Sequence, residues 1–393
     1  MKVVAFLPVN ETIASKLLNA KPLFLYTLEK LCSYDFIDEI YLGSESSELL
    51  SSFSHLRYKP FKFDTLLHDE NILINNLISI AKADIYVKTS CSFPFIKKKT
   101  IKQGLDVLLK NDNYDSVIAK YRNDKIGLFI TKHDAIAKMK SCIGEKQYLF
   151  EVDPIEAINT NFSPEFEVAE QIAEGIQSKE QNYFRALKYF FNSAIFSDIL
   201  TDMKLNNVIT GLILNLQNKK IFGRANTLKI RALREGESYK GIYEALNTYE
   251  KIRRGEIIVV ENDFDNRAYF GELNTNLAIR AGAAGTILSG KTRDIEIVNK
   301  LDYPVFSTGY AALDVRGVGT FDSQNKPIII KNVKITPGDL IFADINGICV
   351  IPRNYEEVII SMAKESVKKE KKVLDEILDQ KNAYDIYKHT GEF

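Results

Sequence analysis

Glu272 is followed by twenty residues and then by the adjacent pair Arg293-Asp294. The intervening LNTNLAIRAGAAGTILSGKT is apolar and glycine-rich, with Arg280 and Lys291 as its ionisable groups. Glu272, Arg293 and Asp294 can supply complementary chemistry. An arginine holds a carboxylate in a two-pronged fork. An aspartate ligates a hard divalent cation such as Mg²⁺, with water filling the remaining positions. A glutamate positions a water for proton transfer. A 2-oxo acid such as pyruvate suits this set: its carboxylate meets Arg293, while carboxylate and keto oxygens chelate the cation. The cation would then stabilise the enolate left when a C3–C4 bond breaks. A plainer reading stays open at this point, in which Glu272 and Arg293-Asp294 only cap the ends of a helix and a strand.

For the chemistry to assemble, the chain must fold back between the two ends. NTNLAIRAGAAGTILSG carries a helical pattern at Leu277, Ala278 and Ala281 and runs through Gly282 and Gly285 into a strand. About ten helical residues span about 15 Å, and five strand residues about 17 Å. The turn Gly271-Glu272-Leu273-Asn274 can therefore return beside Arg293 and Asp294. The helix N-terminus would add free N–H groups and partial positive charge for an anion.

A chain of 393 residues exceeds one ordinary core and implies two or three domains. Its 52 basic and 52 acidic residues cancel, so no global basic field collects nucleic acid. No apolar run approaches the roughly 20 residues that span a bilayer. The opening MKVVAFLPVNE reads as a first strand, not as a signal peptide. Cys32, Cys91, Cys142 and Cys349 are scattered, which fits a reducing compartment, and a cytoplasmic location is expected. The histidines are His55, His68, His133 and His389. Their spacing denies the C-terminal half a histidine metal cage or a histidine base, apart from its tail. His68 beside Asp69 and Glu70 reads as a solvated loop, with a metal site as the lesser reading.

Residues 1–176 alternate strands (KVVAFLPV, IDEIYLGSES, DIYVKTSC, YDSVIAKY) with helices (KPLFLYTLEKLCSY, ENILINNLISIAKA, KKTIKQGLDVLLKN). That pattern predicts an α/β domain with a doubly wound parallel sheet, closed by the helix SPEFEVAEQIAEGI. QSKEQN, residues 177–182, reads as a linker. Residues 183–393 hold many short strands with few helices between them, which predicts an α+β domain with a barrel or sandwich core. The tail is expected to form one amphipathic helix with Val358, Ile359, Met362 and Val367 on one face. Its lysine-rich stretch reads as a solvated face or an oligomer contact.

The segment GELNTNLAIRAGAAGTILSGKTRDIE resembles the signature of the RraA-like family, which includes 4-hydroxy-4-methyl-2-oxoglutarate aldolases. AIFSDILTDM, IFGRANTLKI, GEIIVVEN, YPVFSTGY and TPGDLIFADINGICVIP resemble its other blocks, in order, over roughly residues 183–380. The resemblance implies a swivelling β/β/α fold, homotrimers or homohexamers, and active sites near subunit interfaces. It also implies roles: Asp294 as the metal ligand for Mg²⁺ or Mn²⁺, Arg293 as the carboxylate anchor, Gly271, Leu273 and Asn274 as substrate-binding backbone, and Glu272 as the orienter of a catalytic water. Ser289 and Asn346 depart from family positions where Asp is common, which touches the substrate and not the chemistry.

VVAFLPVNETIASKLLNAKPLFLYTLEKL, ADIYVKTSCSFPFIKKKTIKQGLDVLL and EAINTNFSPEFEVAE resemble blocks of the CMP-sugar (acylneuraminate/Kdo) cytidylyltransferases, whose fold is nucleotide-diphospho-sugar transferase-like. Their triphosphate loop is reduced here to Ser15-Lys16, and two metal-binding Asp positions are Asn159 and Asn161. Neutral amides bind Mg²⁺ more weakly than carboxylates, so a degenerate domain is expected. The two resemblances together imply a metal-dependent pyruvate aldolase, with oxaloacetate decarboxylation as a side activity, acting on a 2-keto-3-deoxy or 4-hydroxy-2-oxo acid of a surface-glycan pathway. The alternatives are a non-catalytic RraA-like regulator and an active cytidylyltransferase.

Overall fold

The computed structural model describes residues 1–64 and 69–391, and His68 lies outside them. The chain divides into Met1–Ile176 and Gln177–Phe393. The expected linker at residues 177–182 is helical instead, inside the continuous helix Ser163–Lys188. Its polar residues are good helix formers, and nothing in them breaks a helix.

In the first unit, the described residues form a seven-stranded sheet. Val3–Pro8 pairs in parallel with Glu39–Ser44 and Ile85–Lys88, as β-branched, fully buried strands do. The sheet is mixed, however, and not parallel throughout. Asp124–Lys132 runs antiparallel to both Ile85–Lys88 and Ser116–Tyr121. The tight turn at Arg122, with φ 55°, makes this hairpin, and no glycine marks it in the sequence.

The second unit is built on four parallel strands in spatial order: Ile221–Ala232, Ile257–Asn262, Gly285–Leu288 and Val305–Ser307. The last three connect through the helices Glu272–Ala281 and Ile295–Lys300. The expectation of few helices between the strands is corrected here: this core is a β-α-β arrangement. Its strands of three or four residues and its six-residue helix are too short to show a period. Ile257 and Val259 face one core cluster, while Ile258 and Val260 face another with Ala278 and Val298 of the two helices. An antiparallel flank, Leu340–Asp344 with Gly347–Ile351, pairs with the first half of Ile221–Ala232.

The tail forms the helix Glu356–Leu378 followed by a second, Ala383–Thr390. Ile359, Ile360 and Ala363 are its buried residues, and the expected contact residue Val358 is exposed. The helix is anchored by Arg224. That guanidinium donates to Glu180 Oε1 at 2.6 and 3.0 Å, to both Glu356 oxygens at 2.8 and 3.0 Å, and to the Gly338 carbonyl at 3.1 Å. Burial alone would raise the Glu180 pKa, but the Arg224 charge and hydrogen bond hold it below the ordinary range. That contribution is complete above the usual glutamate pKa and fades as pH falls through the lowered one. Arg224→Met is expected to destabilise this unit by about 2–3 kcal/mol in a denaturant titration. The figure lies below that for a fully buried pair because solvent reaches part of Glu180.

Among the described residues, no helix is long and apolar enough to cross a membrane.

Candidate active site

Parallel strands present their carboxyl ends on one edge, where ligands of such sheets bind. Three segments follow those ends in the second unit, and short pairings tie them together. Ala268–Phe270 pairs in parallel with Lys291–Thr292. Ala268 bridges Asp314, and Thr292 bridges Tyr310. The Phe270 carbonyl accepts from Arg293 N and Thr292 Oγ1, both at 2.9 Å.

This stitching brings the two ends of the 272–294 segment together. Glu272 begins the helix Glu272–Ala281, and Gly282, at φ 78°, ends it in the left-handed region. The Ala283 N–H then closes onto the Ala278 carbonyl at 2.9 Å, a Schellman-type stop. At the other end, Asp294 Oδ2 accepts from Glu272 N at 3.1 Å. The helix therefore starts on the Asp294 carboxylate, which stands in for an N-cap side chain.

Leu273 N and Asn274 N have no acceptor among the described residues, so two first-turn donors remain open to an anion. The Asn274 side chain donates to the Tyr269 carbonyl at 2.7 Å, and Thr275 Oγ1 to the Gly271 carbonyl at 2.9 Å. Glu272, Asn274, Arg293 and Asp294 line one pocket of about 780 Å³. The apolar side of the pocket comes from Ile242, Ala245, Leu246 and Leu277.

Gly271 is required by space, not by backbone conformation. A Cβ there would stand 2.6 Å from Asp294 Oδ2 and 2.9 Å from Arg293 Cγ. Gly271→Ala is expected to push Asp294 off the Glu272 N–H. Loss of that helix-starting hydrogen bond is expected to lower the melting temperature, and a misplacement of this kind costs an active site about 10²-fold in turnover.

Sequence reasoning missed Asp314. Its Oδ2 lies 2.6 Å from Arg293 Nη1, whereas Arg293 Nε is 3.6 Å from Asp294 Oδ2. Asp314 Oδ1 also accepts from Arg316 N at 2.6 Å. Asp314 therefore fixes one prong of the guanidinium at the pocket that Arg293 lines. The only signal was its place in the glycine-punctuated LDVRGVG, about twenty residues past Arg293.

The donor set fits a hard cation held mainly by water. Asp294 is exposed, and its Oδ1 makes no hydrogen bond among the described residues. No group of three or more His, Cys, Asp or Glu converges among the described residues. Asp294 would thus be a single carboxylate ligand, with substrate oxygens and water completing the shell.

In the first unit, the resemblance to a triphosphate site meets groups already engaged. Asn159 Oδ1 accepts from Asn161 N at 3.1 Å, and Glu165 Oε2 accepts from Asn159 N at 2.5 Å. Lys16 Nζ donates to the Thr160 carbonyl and sits 4.3 Å from the Phe166 ring centroid. Ser15 ends the helix Glu11–Ser15, where a glycine-rich phosphate loop would be needed.

Comparison with known proteins fits the second unit. The family model described as RraA-like, Aldolase/RraA, matches residues 193–350. A Halalkalibacterium halodurans protein named "Putative 4-hydroxy-4-methyl-2-oxoglutarate aldolase" is 33% identical over 151 residues, 38% of this chain and 67% of that protein. Through its C-terminal unit, the chain belongs to the RraA-like family.

Protein DlpA of Legionella pneumophila is 32% identical over 171 residues, 43% of this chain, but the match spans only 28% of DlpA. A solved CMP:2-keto-3-deoxy-manno-octonic acid synthetase complexed with CTP is distantly similar, at 9% identity and a TM-score of 0.37. The match covers 44% of this chain and all of that one (100%). A likeness of that size says nothing about activity.

Proposed function

We propose that the C-terminal unit is a divalent-metal-dependent aldolase acting on a 2-oxo acid through a pyruvate enolate. One observation carries the reading: Asp294, on the Glu272 N–H, and Arg293, on Asp314, are held together at one pocket beside two open helix N–H groups. Relatives at about this level of similarity carry the aldolase name.

Mg²⁺ or Mn²⁺, when bound through Asp294, would supply Lewis-acid stabilisation of the enolate charge. Arg293 holds the substrate carboxylate in its free prong, and Leu273 N and Asn274 N receive the same anion. Glu272 orients a water that removes the C4 hydroxyl proton as the C3–C4 bond breaks, and the same water returns a proton to C3. With oxaloacetate, the same enolate would form by loss of CO₂.

The resemblance of the first unit to enzymes that act on 3-deoxy-2-ulosonic acids directs the search to 2-keto-3-deoxy sugar acids. The first unit itself is read as a degenerate relative that no longer transfers nucleotides. The assembly proposed is a homotrimer or homohexamer in the cytoplasm.

The test is pyruvate release from 4-hydroxy-2-oxo acids, 2-keto-3-deoxy sugar acids and oxaloacetate with Mg²⁺, coupled to lactate dehydrogenase. Pyruvate from at least one of them, stopped by chelator and restored by Mg²⁺, is expected. No pyruvate from any would refute the proposal and favour a non-catalytic binding role.

A further inference from the structure

Tyr269 lies in the short strand Ala268–Phe270, directly before the Gly271–Asn274 turn. Side chains alternate along a strand. Ala268 and Phe270 are buried at 1% and 0% exposure, whereas Tyr269 is half-buried and lines the pocket with Arg293 and Asp294. Asn274 Nδ2 on its carbonyl, at 2.7 Å, couples its position to the first helical turn.

The Tyr269 hydroxyl has no hydrogen-bond partner among the described residues. The Tyr249 hydroxyl of the same core cluster is fully buried without a partner, and Tyr303 reaches Thr286 Oγ1 at 3.0 Å. Tyr269 is half-buried, and its hydroxyl stands open at the pocket wall, where a ligand can supply the partner that the protein does not. Burial pushes the Tyr269 pKa well above its ordinary value, which leaves a neutral group that both donates and accepts.

Of the other neutral polar side chains at the pocket, Asn274 and Asn276 spend their amide nitrogens on the Tyr269 and Glu272 carbonyls, and Tyr243 is exposed. Arg293 and the helix N–H groups suit a carboxylate. Glu272, Asp294 and Asp314 repel a second anion nearby. A substrate hydroxyl also donates and accepts, and Tyr269 matches it beside the apolar Ile242 and Leu277.

We propose that the Tyr269 hydroxyl binds the C4 hydroxyl of the substrate and selects 4-hydroxylated 2-oxo acids over analogues lacking that group. The proposal rests on the aldolase reading of the same site, but its test does not need turnover.

Full-length protein and Tyr269→Phe are titrated calorimetrically, with Mg²⁺ present, with 2,4-dihydroxybutanoate and with 2-hydroxybutanoate. Neither ligand can undergo retro-aldol cleavage, and they differ only in the 4-hydroxyl. The wild type is expected to bind the dihydroxy acid about five- to tenfold tighter, the range for one net hydrogen bond. In Tyr269→Phe the ratio falls to about one, with the affinity for 2-hydroxybutanoate unchanged. A structural lesion would weaken both ligands and leave the ratio, so the ratio is the readout. No preference in the wild type, a preference retained by Tyr269→Phe, or no binding of either acid overturns the proposal. Failure of pyruvate release alongside the expected ratio would instead overturn only the aldolase reading.

Discussion

Asp294→Asn is expected to lower pyruvate release by about 10³-fold, roughly 4 kcal/mol of transition-state stabilisation, while the protein stays folded. Asp294 has two tasks that this substitution separates. It accepts the Glu272 N–H at 3.1 Å, and in the proposed reaction its other oxygen would hold the cation. Its backbone sits at φ 55°, ψ 33°, a left-handed conformation that asparagine tolerates almost as well as glycine. Asparagine also keeps an oxygen for the N–H, so helix start and backbone survive and the negative charge alone is lost. Asp294→Ala removes the acceptor as well and places a Cβ-bearing residue without a local hydrogen bond in that conformation. It should lose as much activity and also melt lower. Thermal melts and coupled pyruvate assays on the two variants check both halves, and substantial activity in Asp294→Asn would remove the carboxylate from the metal role.

Arg293→Lys is expected to lower kcat/KM by about 10²-fold, with KM rising and kcat falling together. Arginine contributes geometry that an ammonium lacks. One nitrogen, Nη1, is held by Asp314 at 2.6 Å, which fixes the planar group, and in the proposed reaction its other edge would take the substrate carboxylate. A lysine at this position pairs with Asp314 as a single point charge and has no second prong for the substrate. Steady-state kinetics on the best substrate give the result. A kcat/KM within twofold of wild type would mean that the carboxylate is recognised elsewhere, by the Leu273 and Asn274 N–H groups alone.

The sequence made some parts of this site legible for physical reasons. The helix was readable from Leu277, Ala278 and Ala281, while its stop at Gly282 rests on a left-handed glycine conformation that the sequence alone does not fix. The return of Gly271 to Asp294 followed from matching helix and strand lengths. Asp314 was not readable, because its contact with Arg293 depends on the segment after Val305–Ser307 crossing over the site. Tyr269 carried no signal in the sequence, since its place at the pocket wall depends on Ala268–Phe270 lying beside Lys291–Thr292.

Fold legibility divided along similar lines. Val3–Pro8 and Ile85–Lys88 showed as strands because they are buried on both faces. The antiparallel Asp124–Lys132 did not, because its first residues are exposed and charged and its turn lacks glycine. The supposed linker at residues 177–182 was polar because much of that stretch of helix surface is exposed, and polarity alone does not mark a break.

The central claim is that a pyruvate enolate forms beside Asp294, and it can be measured without knowing the aldehyde partner. Pyruvate in D₂O with protein and Mg²⁺ should lose its methyl proton signal in ¹H NMR far faster than without protein. Chelator and Asp294→Asn should each bring exchange back to the uncatalysed rate. Exchange no faster than the protein-free control, or the same rate in Asp294→Asn, would contradict the account.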